Sequence, residues 1–166
     1  MIRTAVLTIS DTSFAGARED RSGPAVATRL AELGFEIGLR QVLPDEPELI
    51  ADCLRTLADG DLADAIFTTG GTGITERDHT PEATRAVLER ELPGLGELMR
   101  AEGLKSTRRA VLSRAVAGTR GRTFVANLPG SPKGAVESLN AIVDLVPHIV
   151  ELLKGRTEHG PLPQRS

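Results

Sequence analysis

The feature that most constrains the fold of this chain is a short apolar run, with no polar residues alternating in it, that is followed at once by a glycine-rich turn. Residues 65–67 read AIF, and TTGGTG follows at residues 68–73. A strand that is apolar on both sides is typical of a parallel sheet covered by helices on both faces. Glycines after such a strand let the backbone turn sharply and let its N–H groups face an anion. The segment therefore predicts an anion site, or else an ordinary connection between a strand and a helix.

Predicted strands and helices alternate along most of the chain. Further strands are predicted at residues 5–9, 35–39 and 123–126, and helices begin near Ser22, Pro47 and Thr80. We therefore expect a three-layer αβα sandwich with a mainly parallel sheet, formed by one domain over residues 1–155. The polar, proline-rich segment 156–166 is expected to be a disordered tail.

Two segments depart from this alternation. Residues 111–117 and 122–128 flank GTRG at residues 118–121, which predicts a small β-hairpin. Residues 136–150 carry the apolar stripe of one long last helix, with a kink expected at Pro147. In the predicted hairpin, Ser113 and Arg114 either contact a phosphate or lie on an edge strand.

Composition excludes several classes of function. The 166 residues carry a net charge of −3 without a long basic run, so we expect no nucleic-acid partner. Four Phe and neither Trp nor Tyr leave no platform for stacking bases. No apolar run approaches the roughly 18 residues of a membrane span, and the single Cys53 cannot form an internal disulfide. We expect a soluble, cytoplasmic protein with no membrane partner.

The carboxyl ends of the predicted parallel strands collect polar residues. Ligands of open α/β sheets bind beyond these ends, near the point where the strand order reverses. Four loops fall at this edge and supply hydroxyls, glycine N–H groups and acids: residues 10–11, 44–46, 69–73 and 127–131. The sequence therefore predicts a single binding site built from all four loops.

Two acids in this region, Asp45 and Asp78, follow different strands. Each could be a cap or turn residue beside a helix. Alternatively, both hold a hydrated Mg²⁺ that also binds substrate phosphates, which suits the coordination habits of that ion. The turn is neither a Walker A loop nor a dinucleotide fingerprint, because no Lys follows it and Glu76 stands where a third glycine is needed. A cradle of backbone amides remains, aided by the start of the last helix at Ser131 and by Lys133.

Residues that are absent also favour one kind of chemistry. No Ser-His-Asp grouping, reactive Cys or pair of clustered His residues is visible, which disfavours hydrolysis through a covalent intermediate. Phosphoryl or nucleotidyl transfer fits better. When the attacking group is a phosphate, it is already ionised near neutral pH, so catalysis rests on positioning and charge neutralisation.

Seven segments, in order, resemble the MoaB/Mog family, most closely Mog-type molybdopterin adenylyltransferases and the G domain of gephyrin. They are LTISD at 7–11, EDRSG at 19–23, PDE at 44–46, TTGGTG at 68–73, RDHTPEAT at 77–84, LSR at 112–114 and NLPGS at 127–131. The PDE segment favours the adenylyltransferase branch over the MoaB branch. One departure is His79, where this branch usually has Val.

The resemblance implies a homotrimer that binds molybdopterin and Mg-ATP, transfers AMP to the terminal phosphate of the pterin and releases pyrophosphate. It assigns catalysis and metal binding to Asp45 and Asp78. It also implies these substrate-binding positions: Ser10, Asp11, Gly70, Gly71, Thr72, Gly73, Ser113, Asn127, Pro129, Gly130 and Ser131. A downstream molybdenum-insertion protein is a further expected partner. The alternatives are a non-catalytic scaffold trimer that binds molybdopterin, and a nucleotide-processing relative that needs no pterin.

Overall fold

The computed structural model describes residues 1–156, in which six strands form one sheet. The strands are β1 (Arg3–Ile9), β2 (Glu36–Leu43), β3 (Ala65–Thr69), β4 (Arg90–Glu91), β5 (Ala117–Arg120) and β6 (Thr123–Leu128). The helices are α1 (Asp11–Phe14), α2 (Ser22–Glu32), α3 (Pro47–Asp59), α4 (Thr80–Val87), α5 (Pro93–Gly103), α6 (Pro132–Ile142) and α7 (Val146–Leu153). Short 3₁₀ helices lie at Arg108–Leu112 and Val143–Leu145. No helix within this part of the chain is long and apolar enough to cross a membrane.

The strand order β2-β1-β3-β6-β5-β4 confirms the predicted mainly parallel sheet. Strands β2, β1, β3 and β6 are parallel, whereas β5 and β4 are antiparallel additions at one edge. The chain leaves β1 in one direction to form β2 and then crosses to the other side of β1 to form β3. A crevice therefore opens between the carboxyl ends of β1 and β3, where ligands of such sheets bind.

The helices divide into two layers, which confirms the predicted sandwich. Helices α2, α5, α6 and α7 bury their apolar residues against one face of the sheet, and α3 and α4 against the other. The central strand β3 is buried at all five positions because both of its faces are covered. Its Phe67 packs edge-to-face on Phe124 of β6, with the ring centroids 6.0 Å apart.

The predicted hairpin exists, but its first arm was placed too early. Residues 111–117 were expected to form that arm, whereas the strand is β5, and Val111 belongs to the preceding 3₁₀ helix. The turn is made at Gly121, which has a φ of +53°. Gly118 is instead a strand residue, where an added Cβ would collide with the carbonyl oxygen of Arg90. The prediction assigned both glycines to one turn, although Gly118 is required by close packing and Gly121 by the turn.

Two prolines lie in the first turn of a helix. Pro93 begins α5, and the two-residue strand β4 precedes it. The last helix is not one kinked helix but α6 and α7, separated by the 3₁₀ helix. In both places the proline occupies a first-turn position, where its missing N–H costs nothing. The predicted tail, residues 156–166, lies outside the described residues except for Arg156.

An ion cluster fastens the amino-terminal ends of the parallel strands. The carboxylate of Asp64 is only 2% exposed and accepts hydrogen bonds from the amide of Arg3 at 2.9 Å and from its guanidinium. Lys154, just after α7, contributes its ammonium group at 3.0 Å. Burial alone raises the pKa of Asp64, but these cationic donors outweigh it and hold the pKa well below its usual range.

We expect Asp64→Asn to lower the free energy of unfolding by about 2 kcal/mol at pH 7, because its amide N–H groups would face cationic donors. A lowered folded pKa means that Asp64 stabilises the fold above its unfolded pKa, about 3.9, and that this contribution is lost as the pH falls below it. The difference from the wild type should therefore shrink at pH 3 in urea titrations. Asp52→Asn, at a side chain that is 72% exposed, is the matched control. Equal effects of the two changes would contradict this assignment.

Candidate active site

The loops after β1, β2, β3 and β6 meet around one cavity of about 610 Å³ in the crevice. Its wall is more polar than apolar and carries acidic and hydroxyl side chains. The predicted site residues that line it are Ser10, Asp11, Asp45, Gly70, Gly71, Asp78, Gly130 and Ser131. Since the four strands are parallel, their carboxyl ends bring together residues up to 121 positions apart in the sequence, from Ser10 to Ser131.

A second cavity of about 350 Å³ adjoins the first and is lined largely by apolar groups, among them Ile74, Met99 and Leu112. Four more predicted site residues lie on its wall: Thr72, Gly73, Ser113 and Pro129. Ser131 borders both cavities. The glycine-rich turn thus lies between a polar and a more apolar cavity.

The carbonyl groups of residues 70–73 in this turn are bound by two residues outside it. Thr80 donates its hydroxyl to the carbonyl of Gly70 at 2.9 Å and its amide to the carbonyl of Gly71 at 3.1 Å. Arg114 donates its amide to the carbonyl of Thr72 at 2.9 Å and its Nε to that of Gly73 at 2.7 Å. Four successive carbonyls are therefore turned toward the protein.

Three amide groups of the turn, those of Gly71, Thr72 and Gly73, are left without a protein acceptor among the described residues by this arrangement. In a trans peptide the C=O of one residue and the N–H of the next point in opposite directions. Held carbonyls at positions 70–72 therefore turn the amides of Gly71, Thr72 and Gly73 the other way. Within residues 1–156 these amides donate to no protein acceptor. Gly71 lines the polar cavity and Thr72 and Gly73 line the adjoining one, so these three adjacent N–H groups are donors that an anion could use. The anion site stays a prediction.

Asp45 is fixed by a reciprocal pair of hydrogen bonds to Asp11 across the ends of β1 and β2. Each backbone amide donates to the other carboxylate at 2.9 Å. Asp45 does not cap α3, because Glu46 occupies the N-cap position. Burial raises the pKa of the Asp45 carboxyl, and the nearby charges of Asp11 and Asp78 act in the same direction. The site therefore carries more negative charge than its burial favours.

Asp78 has the turn role that was one of its two interpretations. Its Oδ2 accepts from the amide of Thr75 at 2.8 Å and from the Thr75 hydroxyl at 2.7 Å. Within the described residues, no hydrogen bond reaches Asp78 Oδ1 or Asp45 Oδ1. Each aspartate thus uses one oxygen for its own positioning, and its other oxygen accepts no hydrogen bond from the described residues.

Mg²⁺ fits these donors, because it binds to proteins through one or two carboxylates together with substrate phosphates. Residues 1–156 contain no group of three or more His, Cys, Asp or Glu side chains arranged to hold a metal ion unaided. A cation at Asp45 and Asp78 would therefore take its remaining ligands from water and substrate.

Arg77 is a positioning residue that the sequence analysis did not single out. Its guanidinium binds both oxygens of Asp11 at 3.0 Å and reaches Glu46 at 3.0 Å, which joins the loops after β1, β2 and β3. These bonds hold the pKa of Asp11 below its usual range. The signal available in the sequence was its place within the RDHTPEAT segment.

Comparison with known proteins decides the family. The family model described as "Probable molybdopterin binding domain" matches residues 5–148. The chain belongs to this molybdopterin-binding-domain family. Among its relatives, the molybdopterin adenylyltransferase of Helicobacter pylori (strain J99) is 42% identical over 93% of this chain and 89% of its own length. The molybdopterin adenylyltransferase of Escherichia coli K12 is 37% identical over 93% of this chain and 86% of its own length.

The solved structures show the same family. The crystal structure of the molybdopterin biosynthesis enzyme MoaB from Thermus thermophilus superposes with a TM-score of 0.88 at 50% identity. The match covers 98% of this chain and all of that one. The fold predicted from the resemblance to the MoaB/Mog family is thereby confirmed.

Two expected contributors do not reach either cavity. Asn127, which the resemblance placed among the substrate-binding positions, is fully buried, and both its amide hydrogens and its oxygen are bonded inside the protein. Lys133 is 81% exposed and lies 3.8 Å from Glu137. Ser113 does line the second cavity, but from the end of the 3₁₀ helix and not from a hairpin strand.

We expect Gly71→Ala to lower turnover about 100-fold, the usual cost of a displacement of about 1 Å in a catalytic site. Gly71 has a φ of +67°, and an added Cβ would overlap Thr80 Oγ1 and lie 3.1 Å from Asp45 Oδ1. Gly121→Ala is the matched control, since Gly121 also has a positive φ, +53°, but nothing lies within 4 Å of its Cβ position. Steady-state assays at equal folded concentration test this, and equal turnover in the two variants would refute it.

Proposed function

We propose that this protein is a molybdopterin adenylyltransferase in molybdenum cofactor biosynthesis. An oxygen of the terminal phosphate of molybdopterin attacks the α-phosphorus of ATP. A new P–O–P bond forms, the bond to the β-phosphate breaks, and pyrophosphate leaves. The observation that carries the proposal is the row of three unpaired amides at residues 71–73, close to two aspartates that each keep a free oxygen.

The site supports this reaction without a strong base. The attacking phosphate is already ionised near neutral pH, so the protein must position two polyanions and offset their charge. The amides of the turn bind phosphate oxygens. Asp45 and Asp78 would hold Mg²⁺, which supplies the positive charge that the phosphates and the carboxylates share. Arg77 keeps Asp11 paired, so that this third carboxylate does not repel the phosphates.

The two cavities suggest how the substrates divide. Phosphate groups and a metal ion suit the polar cavity, which is lined by Ser10, Asp45 and Asp78. A ring system suits the adjoining cavity, whose wall includes Ile74 and Leu112. The glycine-rich turn and Ser131, which lie between the cavities, are then in contact with a substrate on each side.

Asp45→Asn and Asp78→Asn should each reduce pyrophosphate release by at least roughly 100-fold, because each removes a charged ligand at the reacting phosphates. Binding of molybdopterin should remain largely intact. The measurement is pyrophosphate release from Mg-ATP, with and without molybdopterin. Asp52→Asn is the control for the loss of one negative charge elsewhere. Wild-type turnover in both site variants would remove the proposed catalytic role.

A second candidate is a scaffold that binds molybdopterin without turning it over. The 50% identity to a protein named MoaB favours it. The PDE segment at residues 44–46 favours the adenylyltransferase branch instead. The same assay separates the candidates: tight pterin binding with no pyrophosphate release by the wild type would establish the scaffold. Release of pyrophosphate without pterin would instead indicate a nucleotide-processing relative.

Assembly and delivery complete the proposal. We expect a homotrimer that passes its adenylylated product to a downstream molybdenum-insertion protein in the cytoplasm. Sedimentation equilibrium at micromolar concentration should give three times the chain mass of 17.6 kDa. A monomer at that concentration would contradict the expected assembly and leave the catalytic proposal intact.

A further inference from the structure

A chain of buried hydrogen bonds runs from Asn127 to the glycine-rich turn. One Asn127 Nδ2 hydrogen is donated to Thr84 Oγ1 at 2.9 Å. That hydroxyl donates in turn to the carbonyl of Thr80 at 2.7 Å, and the hydroxyl of Thr80 donates to the carbonyl of Gly70 at 2.9 Å. All three polar side chains in the chain are fully buried.

Asn127 also supports the other residue that holds the turn. Its Oδ1 accepts from the amide of Val116 at 3.2 Å, and its own amide donates to the carbonyl of Val116 at 2.9 Å. Val116 lies two residues after Arg114, which binds the carbonyls of Thr72 and Gly73. One buried amide is therefore connected to both Thr80 and Arg114.

The hydrogen-bonding capacity of Asn127 decides what it can do. Its second Nδ2 hydrogen goes to Thr68 Oγ1 at 3.0 Å, so both amide hydrogens are used. Its oxygen already accepts from Val116. With no exposed surface and no N–H left, Asn127 cannot donate to a substrate without breaking this network.

We infer that Asn127, Thr84 and Thr80 are positioning residues, which fix the glycine-rich turn with its free amides directed at the substrates. This inference rests on the proposed function for its catalytic meaning. The physical basis is that a buried polar group without a partner is costly, so the network has one arrangement that satisfies every member. Within residues 1–156 no buried side-chain nitrogen or oxygen lacks a partner. A turn held in this way does not have to be ordered when the phosphates bind.

The test compares two deletions of a buried hydroxyl. Thr84→Val removes the central link of the network while keeping the shape of the side chain. Thr123→Val is the matched control, because Thr123 is 1% exposed and donates one hydrogen bond, to the carbonyl of Ala63 at 2.8 Å, at the opposite end of β6. Both variants should lose stability in thermal unfolding, and Thr84→Val should lose more, because it also leaves one buried N–H of Asn127 without an acceptor.

We expect Thr84→Val to lower kcat for pyrophosphate release about tenfold with a smaller change in KM, and Thr84→Ser to restore it. Thr123→Val should keep wild-type kcat per folded molecule. Equal kcat in Thr84→Val and Thr123→Val would overturn the inference, because a merely structural threonine changes the amount of folded protein and not its turnover.

Amide hydrogen exchange supplies a readout that does not depend on activity. In Thr84→Val the amides of Thr80 and Arg114, which donate to the carbonyls of Gly71 and Thr72, should exchange faster than in Thr123→Val, and unchanged protection would overturn the inference. A wild type that is inactive would refute the proposed function alone, since the exchange comparison still decides the role of the network. If Thr84→Val does not fold, Thr80→Val takes its place, because it removes only the final bond to Gly70.

Discussion

The opposed directions of C=O and N–H in a trans peptide are the constraint on which this site depends. Thr80 and Arg114 bind four successive carbonyls of the glycine-rich turn, and three of its amides are left without a protein acceptor within residues 1–156. No residue with a Cβ could replace Gly70 or Gly71. The backbone has positive φ angles of +99° and +67° there, and an added Cβ would overlap neighbouring atoms. The glycines thus allow the backbone to pack closely against neighbouring atoms as well as to turn.

The acidic side chains balance this cradle of donors. Asp11, Asp45 and Asp78 line one cavity, and only Asp11 has a cationic partner among the described residues, namely Arg77. Burial and the neighbouring carboxylates raise the pKa of Asp45. Amides without a protein acceptor and carboxylate oxygens without a donor in the described part of the chain thus lie around one crevice, and this arrangement supports the proposed binding of a metal–nucleotide complex.

Much of the fold was predictable from local pattern, and the errors have local causes. The AIF strand, which has no polar residues between its apolar ones, correctly indicated a sheet covered on both faces, because a strand buried on both sides has no solvent-facing positions for polar residues. The hairpin arm was misplaced because a glycine needed for close packing, Gly118, resembles one needed for a turn. At the site, the loops were predicted correctly to meet, but Arg77 and Thr84 were not singled out, since a positioning residue carries no motif chemistry of its own.

The sequence by itself determined which residues meet, because parallel strands must end at the same edge of the sheet and each strand is marked by its own apolar run. It also determined the chemical character of the site, since glycines, hydroxyls and acids follow those strands. Only the tertiary structure decided what each residue does there. Asn127 and Asp45 are both polar residues at strand ends, yet one is saturated by hydrogen bonds inside the core and the other keeps an oxygen free in a cavity. That difference depends on hydrogen-bond partners distant in the sequence, which no local pattern specifies.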